Sequence, residues 1–247
     1  MEFTKYEILK SIIKNSNNLV VFTGAGISVP SGIPDFRSAD GLYNEQREDK
    51  IRPEDIISHS FYMMHKELFY SFYKNKMMYL DAKPNAAHKW IASLEKDKNV
   101  TVVTQNIDGL HSLAGSKNVV EIHGSIHRNY CEKCSKFFDA KYVHDYEGVP
   151  KCDRCGGDIK PDVVLYEEPL NEDEINRAIN AIMQADTLVV IGTSLSVYPA
   201  AGFIRYFRGS VLILLNKSAT SYDNMADLVI NEDIVKIIGK LNETKKN

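Results

Sequence analysis

The side chains best suited to bind a metal in this chain of 247 residues are its four cysteines, which form two C-x-x-C pairs. Cys131 and Cys134 make the first pair, and Cys152 and Cys155 make the second after 17 intervening residues. Two thiolates three positions apart on a tight turn can bind one ion, and two such turns complete a tetrahedron. The spacing predicts a structural zinc site with every ligand position filled by protein. Disulfides are the less favoured alternative, because the sequence shows no secretory signal.

A glycine turn is the second candidate for chemistry. The apolar run 19–22 predicts a buried strand, and Gly24-Ala25-Gly26 follows it directly. Such a turn lets a ligand approach the backbone, and α/β folds bind phosphates there. The G-x-G-x-x-G dinucleotide pattern is broken, however, because Val29 stands where its third glycine belongs. Taken alone, the turn is therefore equally compatible with an ordinary tight turn.

Polar side chains recur just after the predicted strands. They are Thr23, Gln105, Asn106, Asp108, His123, Thr193, Ser194 and Asn216. Because parallel strands end at one edge of a sheet, these groups are expected to converge on a ligand rich in hydroxyls and phosphates. His123 is the one histidine among them, and its ordinary pKa suits a general base.

The elements that position these residues alternate between strand and helix. Strands are predicted over 19–22, 100–104, 119–122, 187–191, 211–215 and 228–230, with an extended segment over 160–168. Helices are predicted over 3–16, in short pieces within 42–80, from Pro84 at its first turn, from Asn171 and after 231–233. Alternation of this kind predicts a parallel sheet with right-handed crossovers. The polar cysteine module at 127–160 is expected to be an insert.

The overall composition is that of an ordinary globular protein. A net charge of -3 gives no electrostatic case for nucleic acid, and no apolar run approaches a membrane span. We expect a cytoplasmic monomer.

Six motifs in order resemble the sirtuins, which are NAD-dependent protein deacylases. They are Gly24-Ala-Gly-Ile-Ser, Gly32-Ile-Pro-Asp-Phe-Arg37, Gln105-Asn-Ile-Asp108, His123-Gly124, the paired C-x-x-C, and Gly192-Thr-Ser-Leu-Ser-Val-Tyr-Pro199. The resemblance is closest to bacterial and archaeal members. It implies a Rossmann-like NAD-binding domain from residues 1–41, 81–126 and 161–247. It also implies a smaller domain from the helical insert 42–80 and the zinc module 127–160, with NAD and an acyl-lysine protein substrate in the cleft between them.

The resemblance also implies roles for individual residues. His123, Asn106 and Asp108 would be catalytic. NAD would contact Gly24, Ala25, Gly26, Asp35, Phe36, Arg37, Gln105, Asn106, Ile107, Asp108, His123, Gly192, Thr193, Ser194, Asn216 and Ile234. The substrate peptide would add as a strand against Val163, Val164, Tyr166, Ser196 and Val197. Glu167, at a position where the family often has glycine, is expected to favour basic residues beside the acyl-lysine.

The reaction implied is transfer of the acyl group from lysine to ADP-ribose, with release of nicotinamide and O-acetyl-ADP-ribose. Protein ADP-ribosylation from the same NAD site is the alternative. An NAD-linked dehydrogenase is disfavoured by the broken glycine pattern, and a zinc-dependent binding module without chemistry is disfavoured by His123.

Overall fold

A computed structural model describes residues 4–36, 41–44 and 51–243. Its helices and strands are α1 (Lys5–Asn15), β1 (Asn18–Thr23), α2 (Pro53–Ile56), α3 (His59–Met64), α4 (Lys66–Lys76), α5 (Ala86–Leu94), β2 (Asn99–Thr104), α6 (Leu110–Leu113), β3 (Val119–Glu121), β4 (Gly124–Cys131), β5 (Phe137–Phe138), α7 (Ala140–Asp145), β6 (Ile159–Val163), α8 (Glu172–Gln184), β7 (Thr187–Ile191), β8 (Val211–Leu215), β9 (Leu228–Ile230) and α9 (Ile234–Glu243). None of the described helices is both long and apolar enough to span a membrane.

The larger unit is built on a six-stranded sheet in the order β3-β2-β1-β7-β8-β9, with every neighbouring pair parallel. The predicted parallel sheet is therefore confirmed. Its strand order is that of a doubly wound nucleotide-binding fold, in which the direction of winding reverses between β1 and β7. Ligands of such sheets bind at the carboxyl ends of the two strands that flank this reversal.

Both faces of the sheet are covered, which is why its strands read as continuous apolar runs. Alternate residues of β1 enter different cores: Val21 packs with α1, α5 and α9, whereas Phe22 packs with α8 and the helical turn at Ala200–Tyr206. A one-residue shift in register would exchange the two sets. The register therefore fixes which residues of each strand end reach the ligand edge.

A smaller unit packs the helical insert against the cysteine module. Its three-stranded antiparallel sheet has the order β5-β4-β6. One apolar cluster joins Tyr62, Phe69 and Tyr73 of the insert to Val143 and Ile159 of the module. These aromatic side chains of the insert thus form part of the core of the smaller unit.

An ion-pair group strengthens the junction between the insert and the module. Lys66 on α4 donates to Glu132, which follows β4, at 2.9 Å and to Asp158, which precedes β6, at 2.7 Å. The ammonium is less than a quarter exposed, so water screens these two bonds less than it screens an open surface pair.

The start of α5 differs from the prediction that Pro84 lies in its first turn. The helix begins at Ala86, and Asn85 caps it by accepting from the Ala87 amide at 2.9 Å. The side-chain oxygen of an asparagine can accept from a helix amide, whereas a proline side chain has no acceptor. The N-cap therefore falls one residue after the proline. The Asn85 side chain also donates to the carbonyl of Ile27 at 2.8 Å. It thereby ties α5 to the glycine turn after β1.

Candidate active site

The glycine turn after β1 is locked against the turn after β7. The Gly26 amide donates to the Gly192 carbonyl at 2.8 Å, and the Gly24 amide donates to the Ile191 carbonyl at 3.1 Å. A Cβ on Gly26 would lie 2.8 Å from the Gly192 Cα, and one on Gly192, whose φ is +61°, would lie 2.4 Å from the Ile27 nitrogen. These glycines are therefore required by loop-to-loop packing at the point where the sheet reverses. The sequence pattern indicated only a close approach of ligand.

One pair of polar groups from two strand ends meets beside these packed turns. Gln105 follows β2 and donates from Nε2 to the Thr193 hydroxyl after β7 at 3.1 Å. Next along the chain, the Ser194 and Ser196 hydroxyls lie 2.7 Å apart. Asn216 follows β8 and donates to the Ser218 carbonyl at 2.8 Å. This donor and acceptor set at a doubly wound reversal point suits a dinucleotide such as NAD.

A second group of polar residues surrounds Asn106. Its Nδ2 donates to the Gly24 carbonyl at 3.2 Å and to the Ser28 hydroxyl at 3.0 Å. Ser28 in turn donates to Asp108 Oδ2 at 2.6 Å, and the other carboxylate oxygen accepts from the Leu110 amide at 2.9 Å. Ser28 is buried and was missing from the predicted site. The signal was present, because Ser28 ends the first of the six motifs.

His123 stands just beyond β3 with a defined tautomer. Its Nδ1 lies 2.9 Å from the Gln105 carbonyl, which can only accept, so Nδ1 carries the proton and Nε2 offers its lone pair. Burial lowers the pKa of His123 below its ordinary 6.5, and the hydrogen bond to the Gln105 carbonyl opposes that shift. The imidazole is therefore neutral at pH 7. A neutral ring with a free Nε2 is the form that can accept a proton.

Three of the remaining predicted NAD residues have different surroundings. Phe36 packs against the Tyr43 ring, with centroids 5.3 Å apart, and joins the core of the smaller unit. Arg37 lies outside the described residues. Ile234 begins α9 and its side chain is buried in the core beneath the sheet, which leaves its backbone for any ligand contact.

The segments predicted to bind peptide lie beside His123 and beside Ser194. Val164 donates its amide to the His123 carbonyl at 3.0 Å, and the Tyr166 hydroxyl lies 2.9 Å from that of Tyr43. A non-glycine residue at positive φ flanks each segment: Glu167 at +76° follows the first, and Leu195 at +55° precedes the second. Backbone strain of this kind concentrates at functional sites.

The four cysteines form a closed cluster whose two halves have the same geometry. The Cys131 amide donates to the Lys136 carbonyl, and the Cys131 carbonyl accepts from the Ser135 amide. Cys152 repeats both bonds with Gly157 and Gly156. The residues that follow Cys134 and Cys155 share a positive φ, of +56° and +71°. In each of these two turns, both thiols point towards the same position between the turns.

The thiol spacing matches one tetrahedral ion. Cys131 Sγ lies 3.4 Å from Cys155 Sγ, Cys134 Sγ lies 3.7 Å from Cys152 Sγ, and all four sulfurs lie within 4.8 Å of one another. Sulfurs bound at ~2.3 Å to one zinc ion are about 3.8 Å apart. The cluster therefore fits a structural zinc site, and its second half needs glycine, because a Cβ on Gly157 would lie 3.0 Å from Cys131 Sγ.

Three features define an NAD-binding α/β enzyme with a zinc-binding insert. They are the winding reversal between β1 and β7, the packed glycine turns that follow these two strands, and the four-cysteine site. The Sir2 family model matches residues 24–199, and the chain belongs to the Sir2 family. It is 58% identical to the NAD-dependent protein deacetylase of Clostridium perfringens, over 96% of this chain and 98% of the relative. It is 48% identical to that of Staphylococcus aureus strain Mu50, over 95% of this chain and 97% of the relative.

Solved Sir2 structures share this fold. One, described as Sir2 with p53 peptide and NAD+, has a TM-score of 0.84 and 37% identity over 98% of this chain and 99% of that chain. Another holds a histidine-to-alanine variant of Sir2 with deacetylated p53 peptide and 3'-O-acetyl ADP-ribose, with a TM-score of 0.86 and 36% identity over 98% of each chain. The resemblance to the sirtuins is thereby confirmed.

Proposed function

We propose that this chain is an NAD-dependent protein lysine deacetylase that transfers an acetyl group from lysine to ADP-ribose. The observation that carries the proposal is the neutral His123 at the polar edge of a doubly wound sheet, whose Nε2 bonds none of the residues that the structure describes. The names of its full-length relatives support the same activity. We also propose that the domain boundaries implied by the resemblance, 1–41, 81–126 and 161–247 against 42–80 and 127–160, separate NAD-binding from zinc-binding parts.

NAD would lie across the packed glycine turns that follow β1 and β7. The turn at Gly24, Ala25 and Gly26 would face its pyrophosphate, because that turn closes the carboxyl end of β1 at the reversal point. The Ala25 amide would donate to it, since the Gly24 and Gly26 amides already donate to the turn after β7. The hydroxyl of Thr193 and the amide of Gln105 are held together and would bind ribose hydroxyls. Ser194 and Asn216 extend the same edge towards the adenosine end.

The nicotinamide end would lie at Asn106, Ile107 and Asp108. This segment is held from two sides, since the Ile107 carbonyl accepts from the Ile126 amide at 3.0 Å and the Asn106 side chain donates to the Gly24 carbonyl. Among the described residues, each carboxylate oxygen of Asp108 accepts one hydrogen bond, which leaves further lone pairs for a carboxamide. Phe36 would cover this end and exclude water.

NAD supplies a glycosidic bond to nicotinamide whose cleavage makes the ribose an acceptor for the acyl group. His123 would take a proton from a ribose hydroxyl at Nε2, while the Gln105 carbonyl holds Nδ1–H and fixes the ring. Because the ring is neutral at pH 7, no prior deprotonation is needed. The four-cysteine site has no open ligand position, so its role would be structural.

The acetyl-lysine peptide would add as a strand along residues 163–166. On one edge of this segment, the amides of Val164 and Tyr166 already donate to the His123 and Ile57 carbonyls. The peptide would therefore pair along the opposite edge, with the main-chain groups of Val163. Across the cleft it would pair with Ser196 and Val197. Main-chain pairing of this kind binds many sequences, which suits a protein substrate of varied context.

The test is mass spectrometry of the products from NAD and a panel of acyl-lysine peptides. We expect nicotinamide, free-lysine peptide and O-acetyl-ADP-ribose in equal amounts, with the acetyl peptide among the best substrates. His123→Ala should lower the rate at least ~100-fold while NAD still binds, since a positioned base contributes about that much. His144→Ala, an exposed change in the zinc module, is the matched control. Nicotinamide release without peptide, together with ADP-ribose attached to protein, would instead establish the transferase alternative.

A further inference from the structure

Two buried histidines lie behind the proposed nicotinamide pocket and take no part in the mechanism described above. His88 on α5 and His111 on α6 are almost fully buried. Their rings meet edge to face with centroids 4.8 Å apart. One nitrogen of each ring, Nε2 of His88 and Nδ1 of His111, has no hydrogen-bond partner among the residues the structure describes. A buried polar atom without a hydrogen bond lowers the stability of the fold, so its presence calls for an explanation.

Hydrogen-bond directions fix the tautomer of His111. The Thr23 hydroxyl donates to the Thr104 hydroxyl at 2.8 Å, so it has no proton left for the imidazole 3.0 Å away. His111 must therefore donate from Nε2 to Thr23, which leaves its Nδ1 as a bare lone pair. Burial lowers the pKa of His111 to about 3, so the ring is neutral at physiological pH.

His88 has the complementary form. The Asn85 amide can only donate, and it lies 3.4 Å from His88 Nδ1, so the proton of the neutral ring is on Nε2. Burial lowers the pKa of His88 to about 4, against an opposing effect of the Asp108 charge. Among the described residues, His88 thus has an unpaired N–H and His111 an unpaired lone pair, in two rings whose centroids lie 4.8 Å apart.

The bonds from His111 lead directly to the nicotinamide pocket. Thr104 Oγ1 accepts both from Thr23 and from the backbone amide of Asn106, at 3.0 Å. The side chain of Asn106 then bonds Gly24 and Ser28, and Ser28 bonds Asp108. An unbroken series of contacts thus joins His111 to the two residues expected to contact the carboxamide.

We propose that His111, backed by His88, is a positioning residue that sets the nicotinamide pocket through Thr23 and Thr104. The inference rests on the proposed function only for the identity of the ligand. The two neutral rings orient the hydroxyl chain without adding positive charge beside Asp108.

The first test uses wild-type protein and is independent of activity. Nuclear magnetic resonance of ¹⁵N-labelled histidine at pH 7 should show both rings neutral with the proton on Nε2. A proton on Nδ1 of His111, or a charged ring, would overturn the inference even if no variant folds.

The second test measures inhibition by free nicotinamide in the deacetylation assay. Thr23→Val and His111→Leu should weaken nicotinamide about tenfold, the scale of one lost hydrogen bond that leaves its partner unpaired. Peptide KM should stay within about twofold. Thr23→Ser and His111→Gln keep the donors and should restore wild-type inhibition. Thr101→Val is the control, because it removes a β2 hydroxyl that bonds only the exposed Asn118 among the described contacts.

The outcomes separate the two proposals. Wild-type protein that releases no nicotinamide from NAD and acetyl peptide contradicts the proposed function, whatever the histidine tautomers. Active wild type, with folded Thr23→Val and His111→Leu variants that bind nicotinamide normally, contradicts the positioning role alone.

Discussion

Acid should destabilise this protein through its buried histidine pair. His88 and His111 are held neutral, with pKa values lowered to about 4 and about 3 by burial. In the unfolded chain each ring would titrate at its ordinary 6.5. Between those values the unfolded state binds more protons than the folded state, so the free energy of unfolding falls as the pH falls.

The size of the effect follows from the pKa gap. A pH of 5 lies about 1.5 units below the pKa of the unfolded rings, while the folded rings remain mostly neutral there. Each ring then costs about 2 kcal/mol of stability, and the pair about 4 kcal/mol. That is a large part of the ~5–15 kcal/mol of a typical domain.

The assay is urea unfolding at pH 7 and pH 5, followed by the fluorescence of Trp90, the single tryptophan, on α5. The wild-type loss between the two pH values should exceed that of His111→Gln by about 2 kcal/mol, because the amide does not titrate. His88→Asn should remove a similar share. An equal loss in wild type and both variants would refute the assignment of buried neutral rings.

Further expectations concern the site and its supports. The acid limb of kcat/KM should have a midpoint below 6.5, because burial lowers the pKa of His123; a midpoint above 6.5 would contradict its role. Gly192→Ala should cost about 3 kcal/mol in urea unfolding, since it combines a positive φ with a Cβ 2.4 Å from the Ile27 nitrogen. Removing zinc with a chelator should lower the melting temperature and activity together, and zinc should restore both; full activity of metal-free protein would count against a structural site. Glu167→Gln should lower the preference for basic over acidic flanking residues a few-fold in kcat/KM, and an unchanged ratio would reject the charge hypothesis.

The sheet and the zinc site were predictable because their signals are local. Apolar runs such as Thr187–Ile191 mark buried strands, and polar residues after each strand follow from the parallel arrangement. The cysteine spacing likewise contains most of the knuckle geometry. Only the shared hydrogen-bond pattern of the two turns required the structure.

The contacts that the sequence could not show join distant segments. Gly24 and Gly26 read as a ligand turn, whereas their tight packing is against Gly192, at the end of another strand. His111 has no role that the sequence alone could assign, because its partner His88 and its acceptor Thr23 belong to other elements. No periodicity encodes such pairs, since they depend on how crossovers fold back onto the sheet.

The core shared by the insert and the cysteine module has a consequence for synthesis. The insert's last helix ends at Lys76, but its partner strand begins with Ile159, 83 positions later. At a synthesis rate of ~5–20 residues per second, the aromatic side chains of Tyr62 and Phe69 are made roughly 4 to 17 seconds before the strand that packs on them. The second cysteine pair is synthesised within the same interval, so zinc can bind all four cysteines only shortly before the packing strand is made. Supply of the metal and protection of a nascent apolar surface thus coincide at one late step of translation.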